Sequence, residues 1–71
     1  MKNWVKVYDD KQPYRAEIVK AALAEKNLNP VVVNKKDSAY DIFGQYEVYV
    51  APENTIMAKR IIENDIKFEE I

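Results

Sequence analysis

The stretch that decides the fold begins with Trp4-Val5-Lys6-Val7-Tyr8 and continues, after Asp9-Asp10, into a helical pattern that opens at Pro13. Its first part alternates with period two and is rich in aromatic and β-branched residues, which predicts a β-strand with its two valines on one face. From Pro13 onward the apolar residues recur with a helical period, so we expect a helix from there to about residue 27.

Two further strands and a second helix follow this first pair of elements. Pro30 to Lys35 contains three consecutive valines and Tyr46 to Val50 alternates cleanly, so both segments predict strands. Ala51-Pro52-Glu53 is typical of a helix start, because proline suits the first turn and an acid there suits the helix dipole. The tail, Ile66-Lys67-Phe68-Glu69, alternates weakly and predicts a short fourth strand.

This βαββα(β) order predicts an α+β fold, the ferredoxin-like plait, in one domain over residues 1–71. In that plait the first and third strands are central, and both helices cover one face of an antiparallel sheet. The hydrophobic pattern predicts a core made of Val5, Val7, Ile18, Val19, Ala22, Leu23, Val48, Val50, Ala58, Ile61 and Ile62.

Composition limits the chemistry of the chain. It contains no Cys and no His, so a thiolate nucleophile, an imidazole base and an ordinary zinc site are excluded, and we expect no catalytic residues, no metal and no cofactor. The net charge of −1 argues against nucleic acid as a partner. No stretch has the length of a signal sequence or a membrane span, which indicates a cytoplasmic protein without membrane contact.

The connection between the second and third strands is the first candidate site, because long loops in small domains are often functional. It offers polar groups and apolar anchors for a small anion or a protein partner, at Asn34, Lys35, Lys36, Asp37, Ser38, Tyr40 and Phe43. The alternative is a solvated turn whose aromatic residues only cover the edge of the core. A rival catalytic hypothesis is a small hydrolase that uses Asp37 with Ser38 or a lysine.

The sheet face opposite the helices is the second candidate site. If the strand valines face the helices, the alternate residues of the first and third strands face away from them, namely Trp4, Lys6, Tyr8, Glu47 and Tyr49. Such an aromatic face is typical of a protein interface, and here it predicts a dimer or trimer of this chain. The alternative is ordinary cross-strand packing with an ion pair between Lys6 and Glu47.

The adjacent acids Asp9 and Asp10 allow two interpretations. Two carboxylates before a helix could bind a hard cation, but they supply few ligands for a dedicated site. Capping of the helix that follows, by Asp10 or by Gln12, is the favoured interpretation.

Several stretches resemble a short bacterial domain family of unknown function that is catalogued as prokaryotic signal-transducing proteins. The resemblance is carried by four segments, Trp4 to Tyr8, Tyr14 to Ile18, Val32 to Tyr40, and Gly44 to Val50. It implies a ferredoxin-like fold close to the nitrogen-regulatory PII group, and a role in signalling or in sensing a small anion or nucleotide rather than catalysis. The loop after the second strand is far shorter than a PII regulatory loop, so sensing of the PII type stays an alternative.

Overall fold

The computed structural model describes residues 3–35 and 45–66, which form a small α+β domain. Its elements in chain order are β1 (Val5–Asp10), α1 (Pro13–Glu25), β2 (Val31–Lys35), β3 (Gln45–Val50), a 3₁₀ turn (Pro52–Asn54) and α2 (Thr55–Asn64). The three strands form an antiparallel sheet in the order β1-β3-β2. The predicted βαββα order and the central place of β3 are confirmed. Among the described strands β1 lies at one end of the sheet, and its predicted central place depends on the predicted fourth strand. That strand lies, beyond Ile66, outside the described residues.

An irregularity in β1 changes which of its side chains face the helices. Val5 pairs with Val50 and Lys6 with Tyr49, but the next partner of β3, Val48, is opposite Tyr8 rather than Val7. This is a β-bulge, in which two residues of one strand oppose a single residue of its neighbour. Beyond the bulge the alternation of β1 is shifted by one residue.

Helix α1 begins and ends with backbone features that its sequence explains. Pro13 takes the first helical position, and Gln12 before it makes no side-chain capping bond. Asp10 Oδ1 instead accepts the backbone N–H of Gln12 at 2.8 Å. At the other end Asn27 has a φ of 61°, and the N–H of Leu28 bonds to the carbonyl of Leu23 at 3.2 Å. This is a Schellman ending, in which the left-handed residue lets the chain reverse.

The core lies between the two helices and one face of the sheet. Its buried members are Ala16, Val19, Leu23, Leu28, Val48, Val50, Ala58 and Ile61. Because both helices supply residues that pack with Val48 and Val50, they cover the same sheet face, as expected. Four residues predicted to be in the core are only half-buried. Three of them, Val7, Ala22 and Ile62, pack against the edge of the core, and the fourth is Val5.

The prediction for Ile18 is wrong, because its side chain is 41% exposed. The buried side of α1 is centred on Ala16, Val19 and Leu23, at the spacing i, i+3, i+7 of one helical face. Ile18 lies about 100° around the helix from Val19, on the side away from Ala16. Leu28, absent from the prediction, is buried because the Schellman ending folds it back beside Leu23.

Candidate recognition surface on the open sheet face

The sheet face opposite the helices, here called the open face, follows from the register of the strands. Val48 and Val50 face the helices, so Glu47 and Tyr49 of the same strand face away. Directly paired residues share a face, which extends the assignment to the neighbouring strands. The open face comprises Lys6, Asp9, Val31, Val33, Lys35, Gln45, Glu47 and Tyr49.

Glu47 lies at the centre of the open face, on the central strand. It is 7% exposed, the one charged residue of the described chain that is buried. The hydroxyl of Tyr49 donates to its Oε1 at 2.7 Å. Lys35 Nζ lies 3.4 Å from the same oxygen, and Lys6 Nζ lies 3.4 Å from Oε2. Both carboxylate oxygens are therefore engaged, by side chains from all three strands.

The network continues from Glu47 toward the end of β1. Lys6 Nζ also lies 3.1 Å from Asp9 Oδ2, and the amide of Gln45 donates to Asp9 Oδ1 at 3.0 Å. The two lysines thus balance two carboxylates within one network. Most of these groups are partly exposed, so the isolated ion pairs stabilise the fold only weakly, and their main effect is to fix the side chains relative to one another.

The same contacts set the protonation of the network. The hydrogen bond from Tyr49, followed by those from Lys35 and Lys6, lowers the pKa of Glu47 although burial opposes this. The hydrogen bond to Glu47 in turn raises the pKa of Tyr49. Hydrogen bonds to Asp9 and Glu47 raise the pKa of Lys6. Glu47 is consequently ionised at neutral pH, while Tyr49 and Lys6 keep their protons.

Three of the five residues predicted for this face are brought together, namely Lys6, Glu47 and Tyr49, and the ion pair between Lys6 and Glu47 is present. Trp4 lies one residue before β1 and is half-buried. The placement of Tyr8 is wrong. The bulge at Val7 turns Tyr8 to the helix side, where it packs against the core.

On the helix side Tyr8 belongs to a different polar cluster. Its hydroxyl donates to Asp10 Oδ2 at 2.8 Å, and Arg15 Nη1 lies 3.7 Å from the same oxygen. Burial and the hydrogen bond to Asp10 raise the pKa of Tyr8. The pKa of Asp10 is lowered, most of all by the hydrogen bond that it accepts from the backbone N–H of Gln12. The cluster ties the end of β1 to the start of α1.

The structure separates the two acids that could have formed a cation site. Asp9 faces Lys6 and Gln45 on the open face, whereas Asp10 bonds to Tyr8 on the helix side. Consecutive strand residues point to opposite faces, so these carboxylates cannot converge on one ion. No group of three or more His, Cys, Asp or Glu side chains suited to a metal occurs among residues 3–35 and 45–66.

The predicted loop site is described only at its beginning. Asn34 and Lys35 are the last residues of β2, and Lys35 turns to Glu47. The other predicted loop residues lie outside the described part of the chain, namely Lys36, Asp37, Ser38, Tyr40 and Phe43. The sequence prediction for the open face omitted Asp9, Gln45 and Lys35. For Gln45 and Lys35 the available signal was their alternate spacing with Glu47 and with Val33 in the same strands, but using that signal requires the strand register. Asp9 gave no such signal, because it reaches the open face only through the bulge in β1.

Comparison of the chain with protein-family models, with curated proteins and with solved structures finds no match. Neither of the described helices is long and apolar enough to cross a membrane.

Proposed function

We propose that this chain is a small, non-catalytic binding and signalling module, and that its open face is the surface that a protein partner recognises. The observation that carries the proposal is Glu47, a charge shielded at the centre of the sheet face opposite the helices and held by Tyr49, Lys35 and Lys6. A face whose polar side chains are already ordered loses little conformational entropy when a partner docks.

The character of the open face favours a protein over a small charged ligand. Its two lysines and two carboxylates are paired with each other, so the network presents no surplus charge to attract an anion. Val31 and Val33, half-buried on β2, add apolar area beside Tyr49. A polar centre with satisfied hydrogen bonds and apolar area at its side is suited to burial in a protein interface.

The chemistry of Glu47 supports a binding role rather than catalysis. Catalytic carboxylate pairs require two acids whose pKa values are pushed apart in one cleft. Here Glu47 is held in its ionised form and both its oxygens accept bonds, which makes it a poor proton donor and a poor nucleophile. The rival hydrolase, built on Asp37 and Ser38, would act outside the described residues.

We also propose that the complete fold is the ferredoxin-like plait. In support, β1 and β2 are each antiparallel to β3 and lie on either side of it, which is the arrangement of three strands of that fold. The segment around residues 66–69 would then be the fourth strand, on the side of β1 away from β3.

Site-specific photocrosslinking in a native lysate of the source organism tests the binding proposal. A photoreactive benzophenone residue in place of Gln45 lies on the open face without removing any of the three partners of Glu47. The matched control carries the same residue in place of Ile56, which is 77% exposed on α2. We expect one specific protein to be captured from position 45 and not from position 56.

Competition then links the capture to the Glu47 network. Excess unlabelled wild-type chain should abolish the cross-link. Excess Glu47→Gln chain should compete less well, because Lys35 loses its ion pair with Glu47 and Lys6 is then held by Asp9 rather than by both carboxylates. Equal capture from both positions, or equal competition by both chains, would show that the open face is not the recognition surface.

A further inference from the structure

Strand β2 forms one edge of the sheet. It pairs with β3 along its whole length, from Val31 opposite Tyr49 to Lys35 opposite Gln45, with no break in register. In the described part of the chain no strand pairs with its other side. Alternate backbone N–H and C=O groups of β2 therefore point away from the sheet, in a form suited to a further strand.

Protective features are sparse on this edge. Natural edge strands are usually guarded by a charge, a proline or a bulge within the strand. The first three positions of β2 are the uncharged, β-branched residues Val31, Val32 and Val33, and the fourth is the uncharged Asn34. Pro30 stands before the strand rather than in it. The one charge, Lys35, is at the end of the strand and is drawn toward Glu47.

We infer that β2 pairs antiparallel with β2 of a second copy of this chain, about a two-fold axis at Val33. The segment is self-complementary in that register. Val33 then opposes itself, Val31 opposes Lys35, and Val32 opposes Asn34. The two lysines are separated by the length of four residues, about 13 to 14 Å, so no like charges meet.

Pairing at this edge does not itself cover the open face. The two described sheets join into one, and both Glu47 networks lie on the same side of it. The interface is small. It contains roughly six backbone hydrogen bonds if the two Val33 residues form a hydrogen-bonded pair, and roughly four if they form a non-hydrogen-bonded pair. Reversible dimerisation at high protein concentration is the expected behaviour, and it is independent of the partner proposed above.

Single-cysteine variants test this register, because the chain contains no Cys of its own. Residues directly opposite each other in an antiparallel pair have Cα atoms about 4.5 to 5.5 Å apart, within disulfide range. Val33→Cys should therefore form a disulfide-linked dimer under mild oxidation at about 100 μM. Val31→Cys is the matched control, because its two copies would be about 13 to 14 Å apart. Equal cross-linking of the two variants, or none in a folded Val33→Cys, overturns the inference.

Charge variants at Val31 give a second measurement that needs no oxidation. Val31→Glu would face Lys35 of the second copy and should raise the dimer fraction, whereas Val31→Lys should lower it, with a difference in association of about tenfold. Ala24→Glu and Ala24→Lys, at an exposed position of α1, control for net charge. A dimer formed instead by contact between two open faces would be weakened by both Val31 variants. That result would also overturn the inference.

Discussion

At the scale of single residues, Leu23 links the core to the end of a helix. Its side chain is fully buried between the helices and the sheet, and its carbonyl accepts the N–H of Leu28. Ile18, five residues earlier on α1, looks equally apolar in the sequence but lies on the outer side of the helix. Two residues of similar chemistry on one helix therefore contribute very differently to stability.

We expect Leu23→Ala to lower the free energy of unfolding by about 2 to 5 kcal/mol, because it removes buried methyl groups and leaves a cavity. Ile18→Ala is the matched control and should change it by less than about 1 kcal/mol. Urea unfolding followed by circular dichroism measures both. Similar losses in the two variants would mean that the buried side of α1 is assigned wrongly.

At the scale of elements, the end of α1 depends on one residue in the left-handed region. Asn27 takes a φ of 61° and allows the bond between Leu28 and Leu23 that brings Leu28 into the core. Asparagine and glycine tolerate this conformation better than other residues. The sequence pattern predicted the break in the helix here but not the return of Leu28.

Replacing Asn27 by alanine should therefore destabilise the domain by about 1 kcal/mol, whereas Asn27→Gly should be neutral or stabilising. Thermal unfolding of the two variants at the same protein concentration measures the difference. If alanine and glycine had equal effects at this position, the left-handed ending of α1 would be refuted.

The elements themselves could be predicted from the sequence because their periodicity is local. The segment from Tyr46 to Val50 alternates, and that pattern alone fixes a strand with Glu47 and Tyr49 on one side. The bulge in β1 could not be predicted, since it depends on how β1 aligns with β3. It moves Tyr8 from the open face to the core, and it brings Asp9 to the open face in its place.

One partner of Glu47, Lys35, could not be predicted for the same reason. Lys35 was predicted as part of a loop site, and only the pairing of β2 with β3 shows that it reaches the central carboxylate. Lys6 was easier to assign, because it precedes the bulge and keeps the simple alternation. Side chains whose placement depends on strand register are the part of this surface that the sequence alone cannot specify.

At the scale of the whole molecule, the two faces of the sheet differ in character. One face packs against both helices through valines of β3 and builds the core, while the other holds a polar network in an ordered arrangement. The chain is small, so the network that fixes the open face also contributes to the stability of the domain. The pH dependence of unfolding therefore reports on it.

The direction of that dependence follows from the pKa of Glu47. A carboxyl whose pKa is lowered in the folded state contributes stability that is present above its ordinary pKa, about 4.3. This contribution is lost as the pH falls through the lower value of the folded state. The pKa of Asp10 is lowered as well. Because Asp10 is present in both the wild type and a Glu47 variant, its contribution cancels in the difference between their free energies of unfolding.

The central claim, that Tyr49, Lys35 and Lys6 hold an ionised Glu47 on the open face, is tested most directly by the difference in free energy of unfolding between wild type and Glu47→Gln as a function of pH. We expect the wild type to be more stable by about 1 kcal/mol at pH 7. The difference should shrink as the pH falls below about 4.3. A difference that stays constant down to pH 3, or one that grows as the pH falls, would contradict the account.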